Sequence, residues 1–329
     1  MTDIRCRKPG TSYNSKSLTP DRSGPVISRP NVERPEAYAA QPTSANKLRE
    51  VAALFKLRLT SLVVLSAVLG YLFGVEKGGF LWSELLLLAL AGTLVTGASN
   101  ALNQVIEVNE DGLMKRTADR PLVREALAVN EAVVVALLAG MVGIVLLWVV
   151  FGPLTAVLGF LSLFMYVALY TPLKKKGPWS VLVGAFPGAF PPMLGFVAAT
   201  GQFGLGPGLC FAVQFMWQFP HFWAIAWVLH EDYQKAGYHL LPSKGGQDRY
   251  SAFLILLYTL FVIPVGALPW VFGLTGPVSA MVATAAGLLM LVPAFRLYRT
   301  LDKSDARKLM FASFIHLPVV QIAYVLDRL

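Results

Sequence analysis

Asn103, Glu107 and Asp111 stand four residues apart in the stretch ALNQVIEVNEDGLMKRTADRPLVRE. At 100° per residue, that spacing keeps three oxygen-bearing side chains within about 80° of one helical face and spreads them over roughly 12 Å of rise. Carboxylate and amide oxygens so placed suit Mg2+, a hard cation held by one or two carboxylates together with phosphate oxygens of a substrate. Arg116 and Arg120 follow, each with a planar fork that takes phosphate oxygens in pairs. A solvated helix end of mixed charge has the same spacing, which leaves both alternatives open.

A second polar stretch, HFWAIAWVLHEDYQKAGYHLLPSKGGQDRY, places Glu231 and Asp232 where an apolar run ends, followed by Lys235 and the turn-forming Gly237. Two acidic clusters on two helix ends can share one metal-bound diphosphate, although helix-end acids balancing Lys235 would look alike. In YTPLKKK, Tyr170 and Lys174 lie four apart, so Lys174 can contact phosphate and Tyr170 can donate a hydrogen bond. Lysines at such a place also anchor helices at anionic headgroups, the expected role of Lys175 and Lys176. Lys56 and Arg58 carry the same ambiguity.

These residues need elements to hold them, and the composition says which. The 329 residues have a mean hydropathy of +0.58, 55% hydrophobic and only 14% charged side chains, which excludes an ordinary soluble enzyme and a disordered chain. With only Cys6 and Cys210, a disulfide scaffold and a cysteine-rich metal site are excluded as well. The reading is all-α: a polytopic membrane protein of about nine transmembrane helices, at about 57–75, 81–102, 130–151, 154–172, 179–200, 207–229, 251–272, 277–297 and 309–326, each long enough for roughly 30 Å of hydrocarbon. Residues 48–329 form this membrane domain. Residues 1–47, rich in Ser, Pro, Arg and Asn, are expected as a disordered polar tail. The tail has no apolar core of a secretory signal, and Asp3, Asp21, Glu33 and Glu36 argue against a mitochondrial presequence.

Charge orients the bundle. Of the 28 Lys and Arg, 26 fall on one side and only Lys77 and Arg328 on the other, so the N terminus and both acidic loops are expected in the cytoplasm and the C terminus outside. The net charge of +9 then follows from topology and anionic membrane lipid, with no nucleic acid needed.

Asn103, Glu107 and Asp111, followed by Met114, Arg116, Thr117, Arg120, Pro121 and Leu122, resemble the first signature of the protoheme IX farnesyltransferase (heme O synthase) family of UbiA-type intramembrane prenyltransferases. Tyr170 to Lys174, GAFPGAFPPMLGF at 184–196, PHFWAIAW at 220–227, and EDYQKAG with Leu241 and Pro242 continue the likeness in order, from about residue 50 to the end. Glu107 stands where that family more often has Asp, Leu57 where it often has Pro, and Asp119 where Asn is frequent.

The resemblance implies a UbiA-type bundle with a cytoplasm-facing active site, and transfer of farnesyl from farnesyl diphosphate to a vinyl group of heme B, with water added, giving heme O and pyrophosphate. It implies Mg2+ on Asn103, Glu107, Asp111 and Asp232, with Tyr170 and Lys174 beside the reaction and Lys56, Arg58, Arg116, Arg120, Glu231 and Lys235 on the substrate. Heme B would be a substrate, a downstream heme A synthase a partner, and the bacterial cell (inner) membrane, rather than the mitochondrial inner membrane, the location. His221 and His316 lie roughly 10 to 14 Å inside their spans, where an ionisable group suggests function, and either can ligate heme iron. Histidines hydrogen-bonded to a neighbouring helix are the alternative; His230 and His239 are expected to be solvated. A UbiA-type enzyme with a quinone or chlorophyll-precursor acceptor would share the acidic clusters. A secondary transporter would instead place its ionisable groups near the midplane.

Overall fold

The computed structural model describes residues 44–76 and 78–329, and among them the regular structure is helical apart from one isolated bridge between Thr275 and Arg328. The expected tail, apart from its last few residues, and Lys77 lie outside the described residues. A short α1 (Ser44–Leu54) leads into α2 (Leu57–Gly74) and α3 (Trp82–Ile106), which continues after a break as α4 (Val108–Leu113). Then come α5 (Val129–Phe151) and α6 (Pro153–Phe164), extended through a π-turn (Met165–Tyr170), the α-turn α7 (Thr171–Leu173) and a 3-10 turn (Lys174–Lys176). The second half holds α8 (Trp179–Thr200), α9 (Leu205–Val228), the short α10 (His230–Lys235), α11 (Arg249–Val271), α12 (Pro277–Thr300) and α13 (Lys303–Leu326).

Each of the nine expected runs coincides with a long helix or helical rod, and eight of these are long and apolar enough to cross a membrane. The exception is α9, not the final run that His316, Pro318 and Gln321 interrupt. Gln214, Gln218 and His221 are all buried in α9, and the helix beside them accounts for Gln214. Pro191 and Pro192 in α8 lack the N–H groups that would bond the carbonyls of Pro187 and Gly188. Ser162 Oγ donates to Pro187 O at 3.3 Å and Gln214 Nε2 to Gly188 O at 2.7 Å, while Gln218 Nε2 reaches Ala185 O at 2.9 Å. Inside a membrane the carbonyls freed by proline have no water to turn to, so Gln214 of α9 and Ser162 of α6 answer the prolines of α8. Gln321 of α13 and Ser66 of α2 extend the chain, through Gln321 Nε2 to Gln214 Oε1 at 2.9 Å and Ser66 Oγ to Gln321 Oε1 at 3.0 Å.

The helices pack as two groups, α2, α3, α5, α6 and α8 in one and α9, α11, α12 and α13 in the other, joined by α8 on α9 and α13 on α2. The rim helix α5 turns Leu137, Leu138, Met141, Val145 and Val149 outward, the face a lipid-bathed helix needs. The chain is a multi-pass membrane protein. Between α2 and α8 two glycines bring backbones together: a Cβ on Gly195 would overlap Ala67 O, and one on Gly70 would overlap Pro192 O. Small residues allow this approach where no hydrophobic force holds helices together. Gly195→Val should lower the melting temperature of the detergent-solubilised protein, costing about 1–3 kcal/mol or more. Gly208→Ala in α9, which meets only open space, should leave it unchanged or slightly raised.

Candidate active site

The site begins with a break in helix geometry. Lys56, between α1 and α2, holds φ 49° and ψ 52°, a left-handed conformation that costs a residue with a Cβ of order 1–2 kcal/mol and persists only where neighbours impose it. Those neighbours are on α3 and in the first turn of α2. Gln104 Nε2 donates to the freed Leu54 carbonyl at 2.6 Å, Asn100 Nδ2 lies 3.4 Å from Phe55 O, and Thr60 Oγ1 donates to the same oxygen at 2.7 Å. Asn100 also donates to Thr60 Oγ1 at 3.2 Å. The kink holds the Lys56 ammonium within electrostatic reach of Glu107, Asp111, Arg120 and Lys174. Burial first, then the Arg120 and Lys174 charges, bring its pKa well below the usual lysine value.

At the far end of α3 the helix breaks at Glu107, yet Glu107 N still bonds Asn103 O at 3.0 Å and Asp111 N bonds Glu107 O at 2.8 Å. The four-residue register survives, and Asn103, Glu107 and Asp111 stay on one side. They are not a solvated helix end: their exposures are 2%, 4% and 1%. Lys174 Nζ lies 2.8 Å from Glu107 Oε1 and 2.9 Å from its Oε2. Arg120 is salt-bridged to Asp111 Oδ2, leaving Asp111 Oδ1 buried without a partner. Burial raises the Asp111 pKa, and the Arg120 charge opposes the rise without cancelling it.

Lys174 arrives through the π-turn, in which Thr171 N bonds Tyr166 O five residues back. Pro172 follows directly, and a widened turn relieves the clash its ring would make in a regular helix. Thr171 Oγ1 donates to Tyr166 O at 2.9 Å and accepts from Asn103 Nδ2 at 3.0 Å, which directs the Asn103 amide oxygen the other way. Lys174 Nζ sits 4.8 Å from the centre of the Tyr170 ring, a cation–π contact.

Asp232, on α10, joins the first loop by accepting from Arg116 N at 3.3 Å and from Lys235 Nζ at 3.3 Å. Burial raises its pKa, but these donors together outweigh that effect and hold its carboxyl below the usual range. The side chains of Arg58, Arg116, Glu231 and Lys235 are exposed at the periphery. Sequence reasoning missed Asn100, Gln104, Thr171, Tyr166 and Tyr238. The last is 2% exposed and enters among the acids, its pKa raised by burial and by Glu107, Glu110 and Asp111. Amides on the helix face leading to the first acid were the legible signal for Asn100 and Gln104; nothing local marks the two phenols.

Deeper in the bundle, His221 Nδ1 lies 2.8 Å from Ser313 Oγ, and its ring stacks on Trp217 with centres 4.4 Å apart. Ser313 already donates its one proton to Met310 O at 2.7 Å, so His221 donates from Nδ1 and its Nε2 carries the lone pair. His316 is 2% exposed with neither ring nitrogen hydrogen-bonded.

Among the described residues no three Asp, Glu, His or Cys side chains are gathered as a closed metal cage; each acid of the expected set is held by a cation. The donors still fit Mg2+. Asn103, Glu107, Asp111 and Asp232 offer oxygen only, and the orphaned Asp111 Oδ1 has the partner deficit that a hard cation removes.

Residues 63–317 match the model of the UbiA prenyltransferase family. The chain belongs to that family. Among its relatives, the protoheme IX farnesyltransferase of Cytophaga hutchinsonii is 46% identical over 286 residues, covering 87% of this chain and 99% of that protein. That of Christiangramia forsetii is 48% identical over 290 residues, covering 87% and 95%. Solved UbiA-family structures share the fold. A digeranylgeranylglyceryl phosphate synthase superposes with a TM-score of 0.71 at 16% identity, over 85% of this chain and 98% of that one. A UbiA homolog from Archaeoglobus fulgidus bound to GPP and Mg2+ gives 0.65 at 14% identity, over 84% and 99%. In this UbiA-family site Glu107→Gln leaves the Lys174 charge uncompensated and should destabilise the protein in a denaturant titration by about 3 kcal/mol. Adding Lys174→Met should recover part of that loss.

Proposed function

We propose that this chain transfers the farnesyl group of farnesyl diphosphate to the vinyl side chain of heme B, with addition of water, giving heme O and pyrophosphate. The observation that carries the reaction class is the set of buried Asn103, Glu107 and Asp111 with half-buried Lys56, Arg120 and Lys174, at one end of an apolar bundle. The acceptor is supported by the names of relatives that match nearly end to end.

Asn103, Glu107, Asp111 and Asp232 would hold Mg2+, which supplies Lewis-acid stabilisation of the charge developing on the diphosphate. Lys56, Arg120 and Lys174 take the remaining diphosphate oxygens, with Arg58, Arg116, Glu231 and Lys235 at the rim. As the allylic C–O bond breaks, its electron pair leaves with the diphosphate, and the Tyr170 ring face supports the positive carbon. The apolar bundle keeps bulk water from that carbon. The vinyl π-electrons then form the new C–C bond, and one water adds to the resulting cation and loses a proton. The acidic end faces the cytoplasm of a bacterial cell membrane, because it carries the Lys and Arg excess. A heme A synthase would be the downstream partner.

His221 is the proposed axial ligand to heme iron. Ligating histidines commonly donate their other ring nitrogen to a fixed partner, the role Ser313 takes here; His316 is the alternative ligand.

Extracted hemes from cells that lack heme O and express this chain should contain heme O by chromatography. Asp111→Ala and Asp232→Ala should each reduce it to near background with the protein still inserted; normal heme O from both would refute the metal clamp. His221→Ala should weaken heme binding in a spectroscopic titration and leave diphosphate affinity almost unchanged, because roughly 16 Å of helical rise separates it from Asp232. Asp111→Ala should do the reverse. A wild-type heme spectrum and affinity in His221→Ala would move the assignment to His316.

A further inference from the structure

The α10 helix ends in a way that delivers a side chain to the diphosphate clamp. Gly237 takes φ +72°, a left-handed position that glycine occupies without strain. Tyr238 N bonds Tyr233 O at 2.9 Å and Gly237 N bonds Gln234 O at 3.0 Å. This pair of bonds is a Schellman turn, whose usual companion is a contact between the residue after the glycine and the one that accepts its N–H. Here that contact is ring against ring, Tyr233 and Tyr238, with centres 6.2 Å apart.

The turn reverses the chain and pushes Tyr238 inward, where it packs in one cluster with Met114, Trp227, Leu240 and Leu241. Lys174 Nζ lies 6.0 Å from the ring centre. The hydroxyl is fully buried, close enough to Glu107 for that carboxylate to raise its pKa, yet it makes no hydrogen bond of ordinary geometry. A buried donor left without an acceptor is costly, and a rigidly packed ring does not swing away to find water. Unlike Arg120 and Lys174, which are ion-paired, a phenol is a neutral donor and need not be released from an ion pair before it serves an anion.

We propose that the Tyr238 hydroxyl donates a hydrogen bond to the diphosphate of the prenyl substrate once that diphosphate draws Lys174 from Glu107, an inference that rests on the farnesyl diphosphate reading above. Tyr238 is thereby a binding residue contributed by the second loop, and it joins the two loops over one ligand.

The test is calorimetric titration of the full-length protein in detergent with inorganic pyrophosphate and Mg2+, comparing wild type, Tyr238→Phe and Tyr238→Ala. Tyr238→Phe keeps the ring and should weaken binding about tenfold or more, the loss expected when a donor to a charged group is removed. Its melting temperature and heme titration should stay at wild-type values, and Tyr238→Ala should bind little worse than Tyr238→Phe. Wild-type affinity in Tyr238→Phe, with weakening confined to Tyr238→Ala, would make the residue a packing element and overturn the proposal. So would loss of the melting transition and heme spectrum in Tyr238→Phe. Failure of the wild-type protein itself to bind pyrophosphate would instead overturn the diphosphate reading, and this proposal with it.

Discussion

Carboxylates removed from water must be neutralised, and the architecture around the site follows from that requirement at Glu107 and Asp111. A buried ion left alone costs several kcal/mol even after its surroundings relax. Lys174 answers Glu107 and Arg120 answers Asp111, and these partners come from different segments. The rod from Pro153 must therefore end beside α3, and the 114–127 loop must fold back over α4. Asp232 then ties the second loop to the first through the Arg116 backbone. A site that pairs its own acids and bases is also charge-matched to its proposed ligand: metal and diphosphate are a cation and an anion that can take over the two halves of the same pairs.

Departures from ideal helix geometry gather at this end of the bundle. The left-handed Lys56, the break at Glu107, the π-turn before Thr171 and the Schellman turn at Gly237 each aim one side chain into the candidate site. Regular helices present side chains only at fixed 100° intervals, so convergence from five segments on one point requires local irregularity. Each irregularity frees backbone groups, and near the hydrocarbon region these must be satisfied by protein. Asn100, Gln104, Thr60 and Thr171 meet that demand near the acids. Gln214 and Ser162 meet it beside the α8 prolines, so the buried polar residues of this bundle serve both the geometry of the candidate site and backbone repair.

The sequence by itself determined the all-helical membrane class and the position of each long helix to within about six residues, and it singled out the acids and cations proposed for the site. Long apolar runs have few structural solutions in lipid, and a four-residue repeat of Asn103, Glu107 and Asp111 fixes a shared helical face without reference to other segments. The polarity of α9 was less legible, since Gln214 reads as lost hydropathy until the prolines of α8 are set beside it. Only the tertiary structure decided that the acids are buried rather than solvated, which cation meets which carboxylate, and that Tyr166, Tyr238, Asn100 and Gln104 belong to the site or its support. The physical reason is range: helix periodicity and hydropathy act within one segment, whereas pairings such as Lys174 with Glu107 across 67 residues, or Arg116 with Asp232 across 116, depend on how the bundle closes.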